Sequence, residues 1–184
     1  MKYILFLLLL SFSNLVFAAE DTHISFNKEN AKYWQYISDR TMGGISDGQA
    51  LLEQDGDRFF ARLTGDVSTK NNGGFIQLRS NLLFSSFQED VKKIKGVRLK
   101  VRGNGEIYHV FIRTDEARSY SDYYAATFKA NTNWEIIDLP FNQFINKFSI
   151  NTNLNGKNVR TFAIVAYGRE FKSDVSVSQI IFYY

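Results

Sequence analysis

Two loops set paired glycines among polar side chains, Thr41-Met42-Gly43-Gly44-Ile45-Ser46 and Asn71-Asn72-Gly73-Gly74-Phe75. Glycine reaches positive φ without a Cβ clash and lets a second backbone or a ligand come close. Two uses fit. In a ligand loop, Asp39, Arg40 and Ser46 would present polar groups around the backbone at Gly43 and Gly44, and Asn71 and Asn72 would offer donors and acceptors suited to sugar hydroxyls. In a structural turn, Met42 would plug the interior, and Asn71 to Gly74 would simply lead the chain into a strand. Five basic residues, Arg79, Arg98, Lys100, Arg102 and Arg113, form a second candidate, because guanidinium groups fork to carboxylates or phosphates. An acidic glycan, a lipid headgroup or an acidic protein loop would suit them, and so would plain solvation at a sheet edge. Of the aromatic residues Trp34, Tyr36, Tyr120, Tyr123, Tyr124 and Trp134, a platform for sugar rings would draw on Tyr120, Tyr123 and Tyr124, which lie in and just after the polar stretch Arg118 to Asp122.

Other chemistries are poorly supplied. The 184 residues contain no cysteine, which removes disulfides, thiol nucleophiles and thiolate metal sites together. Imidazole chemistry is confined to His23 and His109, and no nucleophile motif surrounds a serine. Asp55-Gly56-Asp57 offers oxygen ligands, but it completes no calcium loop and reads better as a hairpin turn. A pair of carboxylates brought together from distant strands stays open. The expectation is therefore a non-enzymatic protein without metal or cofactor. A net charge of +3, from 22 basic and 19 acidic residues spread along the chain, gives no basis for nucleic-acid binding.

The elements that must position these groups are strands. Met1-Lys2, an apolar run from Tyr3 to Phe12 and the small-residue site at Val16-Phe17-Ala18-Ala19 have the form of a cleavable secretory leader, residues 1–18, too short for a membrane span. Residues 19–184 then form one domain, secreted or periplasmic, with no membrane span after cleavage. Period-2 alternation predicts strands near 49–54, 58–64, 73–79, 96–102, 106–114, 122–129, 133–139, 160–167 and 174–183. Val97, Leu99 and Val101 face the core in one of these, and Tyr108, Val110 and Ile112 in the next, with Gly103-Asn104-Gly105 joining the two as a hairpin. His109, Phe111 and Arg113 then point outward. After Pro140, Phe141, Phe144, Ile145 and Phe148 fall at helical spacing. His23 is placed in an N-terminal stretch without regular structure. An outer-membrane barrel is disfavoured, because the strand at 97–102 is too short and carries Arg98, Lys100 and Arg102 on one face.

Trp34, Asp39 with TMGGIS, NNGGFIQLR at 71–79, LKVRGNGEIYHVFIRT at 99–114 and TNWEIIDLPFNQF at 132–144 occur in a fixed order. The series, from about Trp34 to the C-terminus, resembles the complex I intermediate-associated protein 30 family, here as an exported, bacterial-type member. The resemblance implies an all-β, antiparallel jelly-roll β-sandwich of the galactose-binding type. It also implies a role in assembling or stabilising protein complexes, as for mitochondrial members that act on respiratory complex I, while the fold independently suggests carbohydrate. Arg79, Arg102 and Arg113 match basic positions of the family pattern. The leading expectation is a binding or assembly module for an envelope protein complex. The alternative is a glycan-binding module, with a glycan-active enzyme behind both. A protein partner or a glycan would be met by Asp39, Met42, Gly43, Gly44, Ser46, Asn72, Gly73, Gly74, Arg79, Arg102, Arg113 and Tyr124, gathered on one shallow surface.

Overall fold

Because short alternating segments are punctuated by Gly, Asn and Asp, most of the chain pairs as strand. The computed structural model describes residues 21–80, 94–146, 154 and 159–184, so the leader at 1–18 and Phe148 lie outside the described residues. The strands are β1 (Thr22–Ser25), β2 (Trp34–Ser38), β3 (Asp47–Asp55), β4 (Arg58–Val67), β5 (Phe75–Ser80), β6 (Gly96–Gly103), β7 (Ile107–Thr114), β8 (Tyr124–Lys129), β9 (Glu135–Pro140), β10 (Ile145–Asn146), β11 (Val159–Tyr167) and β12 (Phe171–Tyr183). They form two six-stranded antiparallel sheets. The β12 sheet runs β3-β4-β12-β6-β9, with β1 also on β12, and the β11 sheet runs β10-β8-β7-β11-β5-β2. The architecture is a jelly-roll β-sandwich of the galactose-binding type.

The core lies between the sheets. Val97, Leu99 and Val101 of β6 face Tyr108, Val110 and Ile112 of β7 across it, and all six are fully buried. The expected inward set is therefore correct. The expected hairpin is not: β6 pairs with β12 and β9, whereas β7 pairs with β11 and β8. The segment at 103–105 is a corner that carries the chain from one sheet to the other. It is held there by Gly103 N–H to Asn131 O and Gly105 N–H to Ala130 O, with Gly105 at φ 84°. Tyr108 ties the corner to both sheets, since its hydroxyl donates to Asn104 Oδ1 and accepts the Asp174 N–H, each at 2.8 Å. Tyr108→Phe should leave that N–H without its partner at the same packed volume, lowering stability by about 1–2 kcal/mol in a urea titration.

β12 shows how a long strand keeps one face inside. Val175 and Val177 point inward, then the register shifts between Val177 and Gln179, and Ile180 and Phe182 take over. One extra residue flips the alternation, as a bulge does. Asp55-Gly56-Asp57 is indeed a tight turn, joining β3 to β4 with Gly56 at φ 59°. Of two other expectations, the helical turn after Pro140 holds in part and the unstructured placing of His23 fails. Phe141–Gln143 make only a single 3-10 turn, after which Ile145 joins strand β10 and is exposed. Phe141 and Phe144 still reach the core, because a 3-10 turn also brings residues three apart onto one side. His23 sits in β1, opposite Ile181 of β12, because β12 runs on beyond its pairing with β4 and leaves an edge for β1 to cover.

Candidate functional site

Asp39 organises both glycine loops. It follows β2 and opens a 3-10 turn, Asp39–Met42, that closes on Gly43 at φ 89°. The side chain is fully buried, and its Oδ1 accepts the Ser46 N–H at 2.9 Å. Its Oδ2 accepts the Ser46 hydroxyl at 2.5 Å, the Gly74 N–H at 2.6 Å and the Phe75 N–H at 3.1 Å. Ser46 Oγ in turn accepts the Ser68 N–H. Burial by itself would raise the Asp39 pKa, but the four donated hydrogen bonds outweigh it and hold the carboxyl below its ordinary value. A buried, ionised carboxylate saturated by donors is a clasp, not an acid or base.

The glycines explain why the clasp closes. A Cβ on Gly44 would lie 2.4 Å from Asp39 Cγ, and one on Gly73 would lie 2.5 Å from Asp39 Oδ2. In each loop one glycine is needed for close approach and the other, Gly43 or Gly74, for positive φ. Asp39, Gly44, Ser46, Gly73 and Gly74 thus meet as expected, but inside. Gly43, Asn72 and Met42 form the outer rim, and Met42 is 63% exposed rather than a plug.

The second loop feeds β5, which lays Phe75, Gln77 and Arg79 on the outer face of the β11 sheet. Register then sets rows across that face. One row holds Ala125, Phe111, Ala163, Arg79 and Gln35, and the next holds Thr127, His109, Val165, Gln77 and Ile37. Arg113 stands opposite Thr161, and Phe75 opposite Tyr167. Before Tyr167, the central strand carries the smaller Thr161, Ala163 and Val165 between bulkier neighbours. Tyr123 stacks on Phe111 with centroids 4.0 Å apart, and Tyr167 meets Phe111 and His109 edge-on at 5.3 and 5.4 Å. These rings form a second apolar cluster on the outside of the sandwich. Burial and a hydrogen bond with Tyr167 push the Tyr123 phenol well above its ordinary pKa, so it stays a neutral hydroxyl.

Polar groups are set into this cluster without partners. Gln77 Oε1, Thr161 Oγ1, Arg79 Nε and Arg113 Nη1 are all removed from solvent and have no hydrogen-bond partner among the described residues. Arg113 forks its Nε and Nη2 onto the Tyr120 carbonyl at 3.1 and 2.5 Å, which anchors the loop before β8, while Tyr120 itself is 83% exposed. Desolvation lowers the pKa of both arginines. The proximity of Arg79 lowers that of Arg113 further; Tyr120 partly offsets the shift in Arg79, and Tyr123, Asp122 and Tyr120 partly offset that in Arg113.

The expected single surface is divided. Arg98, Lys100 and Arg102 belong to the other sheet, because the corner at 103–105 sends β6 and β7 to opposite sides. There Arg98 pairs with Asp138 at 2.6 Å, and Arg102 lies 3.9 Å from Asp55 and over the Trp134 ring at 4.8 Å. Tyr124 is no platform residue: it points into the core at 2% exposure, and its neighbour Tyr123 takes the outer face. Trp34 and Tyr36 pack against the core and Trp134 against Phe60. Thr161 and Tyr167 of β11 and Phe75 and Gln77 of β5 escaped sequence reasoning, because β11 is apolar on both faces, so its alternation carries no contrast, and β5 is buried at Ile76, Gln77 and Leu78 in succession. Among the described residues no three or more His, Asp or Glu side chains gather as a metal site, and no helix is long and apolar enough to cross a membrane.

A family model described as complex I intermediate-associated protein 30 matches residues 24–175. No curated protein matches the sequence. Among solved structures, the family 11 carbohydrate-binding module of the cellulosomal cellulase Lic26A-Cel5E of Clostridium thermocellum is similar, with TM-score 0.70 and 12% identity over 90% of this chain and 95% of that one. The Clostridium thermocellum family 11 module in complex with a beta-1,3-1,4-mixed-linked tetrasaccharide gives TM-score 0.69 and 12% identity, over 90% of this chain and 96% of that one. The K2 cleaved adhesin domain of Lys-gingipain is a more distant likeness, with TM-score 0.52 and 13% identity over 90% of this chain and all of the other. At these identities the likeness is one of fold.

Proposed function

Because the chain belongs to the complex I intermediate-associated protein 30 family, we propose that it is a non-catalytic recognition module that works through the outer face of its β11 sheet and takes a carbohydrate there. The observation that carries this is the aromatic cluster Phe111–Tyr123–Tyr167 set with unpartnered polar atoms of Gln77, Thr161, Arg79 and Arg113. Ring faces pack on the C–H side of a sugar, and convergent amides, hydroxyls and guanidinium groups serve its oxygens. A sheet positions such groups to within the spacing of its own rows, which loops alone would not do. The likeness in fold to a module solved with a tetrasaccharide supports the reading. The leader at residues 1–18 would bring the protein to the envelope or beyond, where glycans are met.

A second reading has its own support. Family membership favours assistance to a protein complex, and the rim of the clasp exposes Met42 and Ile45 as apolar contacts. A glycan array and a crosslinking pull-down on the mature protein separate the two. For the carbohydrate reading, Tyr123→Ala should weaken sugar capture about tenfold and barely shift the melting temperature, since Tyr123 packs outside the main core. Capture of a protein partner together with a silent glycan array would favour the assembly role.

A further inference from the structure

We propose that Arg79 and Arg113 form a carboxylate-binding subsite on the β11 sheet, so that the preferred ligand is an acidic glycan bearing uronate groups. The inference rests on the carbohydrate reading and narrows its ligand class. The two sheets treat their arginines differently. On the β12 sheet Arg62 is bidentate on Asp174 at 2.8 Å, Arg98 is bidentate on Asp138, and Arg102 lies beside Asp55. On the β11 sheet neither Arg79 nor Arg113 has a carboxylate within salt-bridge distance, and Arg79 makes no hydrogen bond among the described residues.

Geometry brings them together. They flank β11, Arg79 opposite Ala163 and Arg113 opposite Thr161. With strands about 4.8 Å apart and the two positions offset by two residues along β11, their backbones are roughly 12 Å apart across a strip of small side chains, within reach of two long ones. Their mutual repulsion is felt by Arg113. Asp122 attracts Arg113 from beyond salt-bridge distance, yet two like charges held in a desolvated place still gain from an anion set between them, and a carboxylate can accept from both forks. What surrounds them selects the carrier of that carboxylate. Thr161 Oγ1 and Gln77 Oε1 seek hydrogen bonds, as ring hydroxyls provide, and the Phe111–Tyr123 stack offers an apolar flank for a pyranose. A lone carboxylate side chain of a protein would leave those groups unused.

The test titrates the mature protein, by calorimetry, with oligogalacturonate, alginate oligomers and glucuronoxylan oligomers, each beside its methyl-esterified or neutral counterpart, and with oligoglutamate. At least one uronate oligomer should bind about tenfold or more tightly than its esterified or neutral form, and added salt should weaken it. Arg79→Gln should abolish that preference while circular dichroism and melting stay unchanged. Arg79→Lys should retain part of it, because the charge survives without the fork. Equal binding of acidic and neutral forms would overturn the carboxylate subsite and leave the carbohydrate reading standing. Binding of oligoglutamate alone, or of none of these probes, would overturn both.

Discussion

Asp39→Ala is expected to lower the unfolding free energy by about 3–5 kcal/mol in chemical denaturation, enough to leave a domain of this size partly unfolded. The carboxylate accepts from Ser46 twice and from Gly74 and Phe75 once each. Its removal strands buried donors in two loops at once, and hydrogen bonds to a charged acceptor are the stronger kind. Asp39→Asn should be nearly as damaging, since an amide accepts on one atom only and turns its NH2 toward a neighbouring donor. Acid makes the same change reversibly. The folded-state pKa lies below the ordinary carboxyl value of 3.8, so the stabilisation is complete above that value and is lost as pH falls from it through the folded pKa. The Arg98-bound carboxyl of Asp138 is shifted the same way, through a more exposed pair worth less. Wild-type stability should therefore decline below about pH 4, and the Asp39→Asn protein should decline less steeply there. Equal slopes would mean that the clasp is not what titrates.

Gly44→Ala and Gly73→Ala should each cost on the order of 3 kcal/mol, although neither glycine has positive φ. The added methyl would overlap the Asp39 carboxyl at 2.4 and 2.5 Å, and for Gly73 the Ser68 carbonyl as well, at 2.9 Å. Those neighbours are held by hydrogen bonds from both loops and cannot move aside singly. Gly43→Ala makes the comparison informative, because a Cβ there meets nothing within 4 Å and only the φ of 89° is strained. Its cost should be about 1 kcal/mol. Thermal and urea unfolding of the three proteins would order them. A Gly43 variant as unstable as the other two would show that turn geometry, not access to the carboxyl, is what the pairs supply.

Both predictions depend on contacts that the linear chain announces only in part. The strand segments and their inward residues could be read directly, because a side-chain period of two makes Val97, Leu99 and Val101 share a face whatever pairs beside them. The glycine loops and Asp39 could be marked as unusual for the same local reason, since missing Cβ atoms matter wherever the backbone turns or is approached. That Asp39 closes both loops from within was not legible, for the partners stand 35 and 36 residues away in the chain. Nor was the sheet to which each strand belongs. In a sandwich both sheets point their apolar faces at one core, so alternation separates inside from outside but does not distinguish the two outsides. The corner at Gly103-Asn104-Gly105 therefore looked like a hairpin, and Arg102 and Arg113, eleven residues apart, looked like one surface. Tertiary pairing sends Arg102 to a face where Asp55 and Trp134 receive it and leaves Arg113 with Arg79 beside aromatic rings. Local chemistry chose the residue types. Which of them share a face was decided by long-range strand pairing, whose energy lies in contacts between segments that are neighbours only after folding.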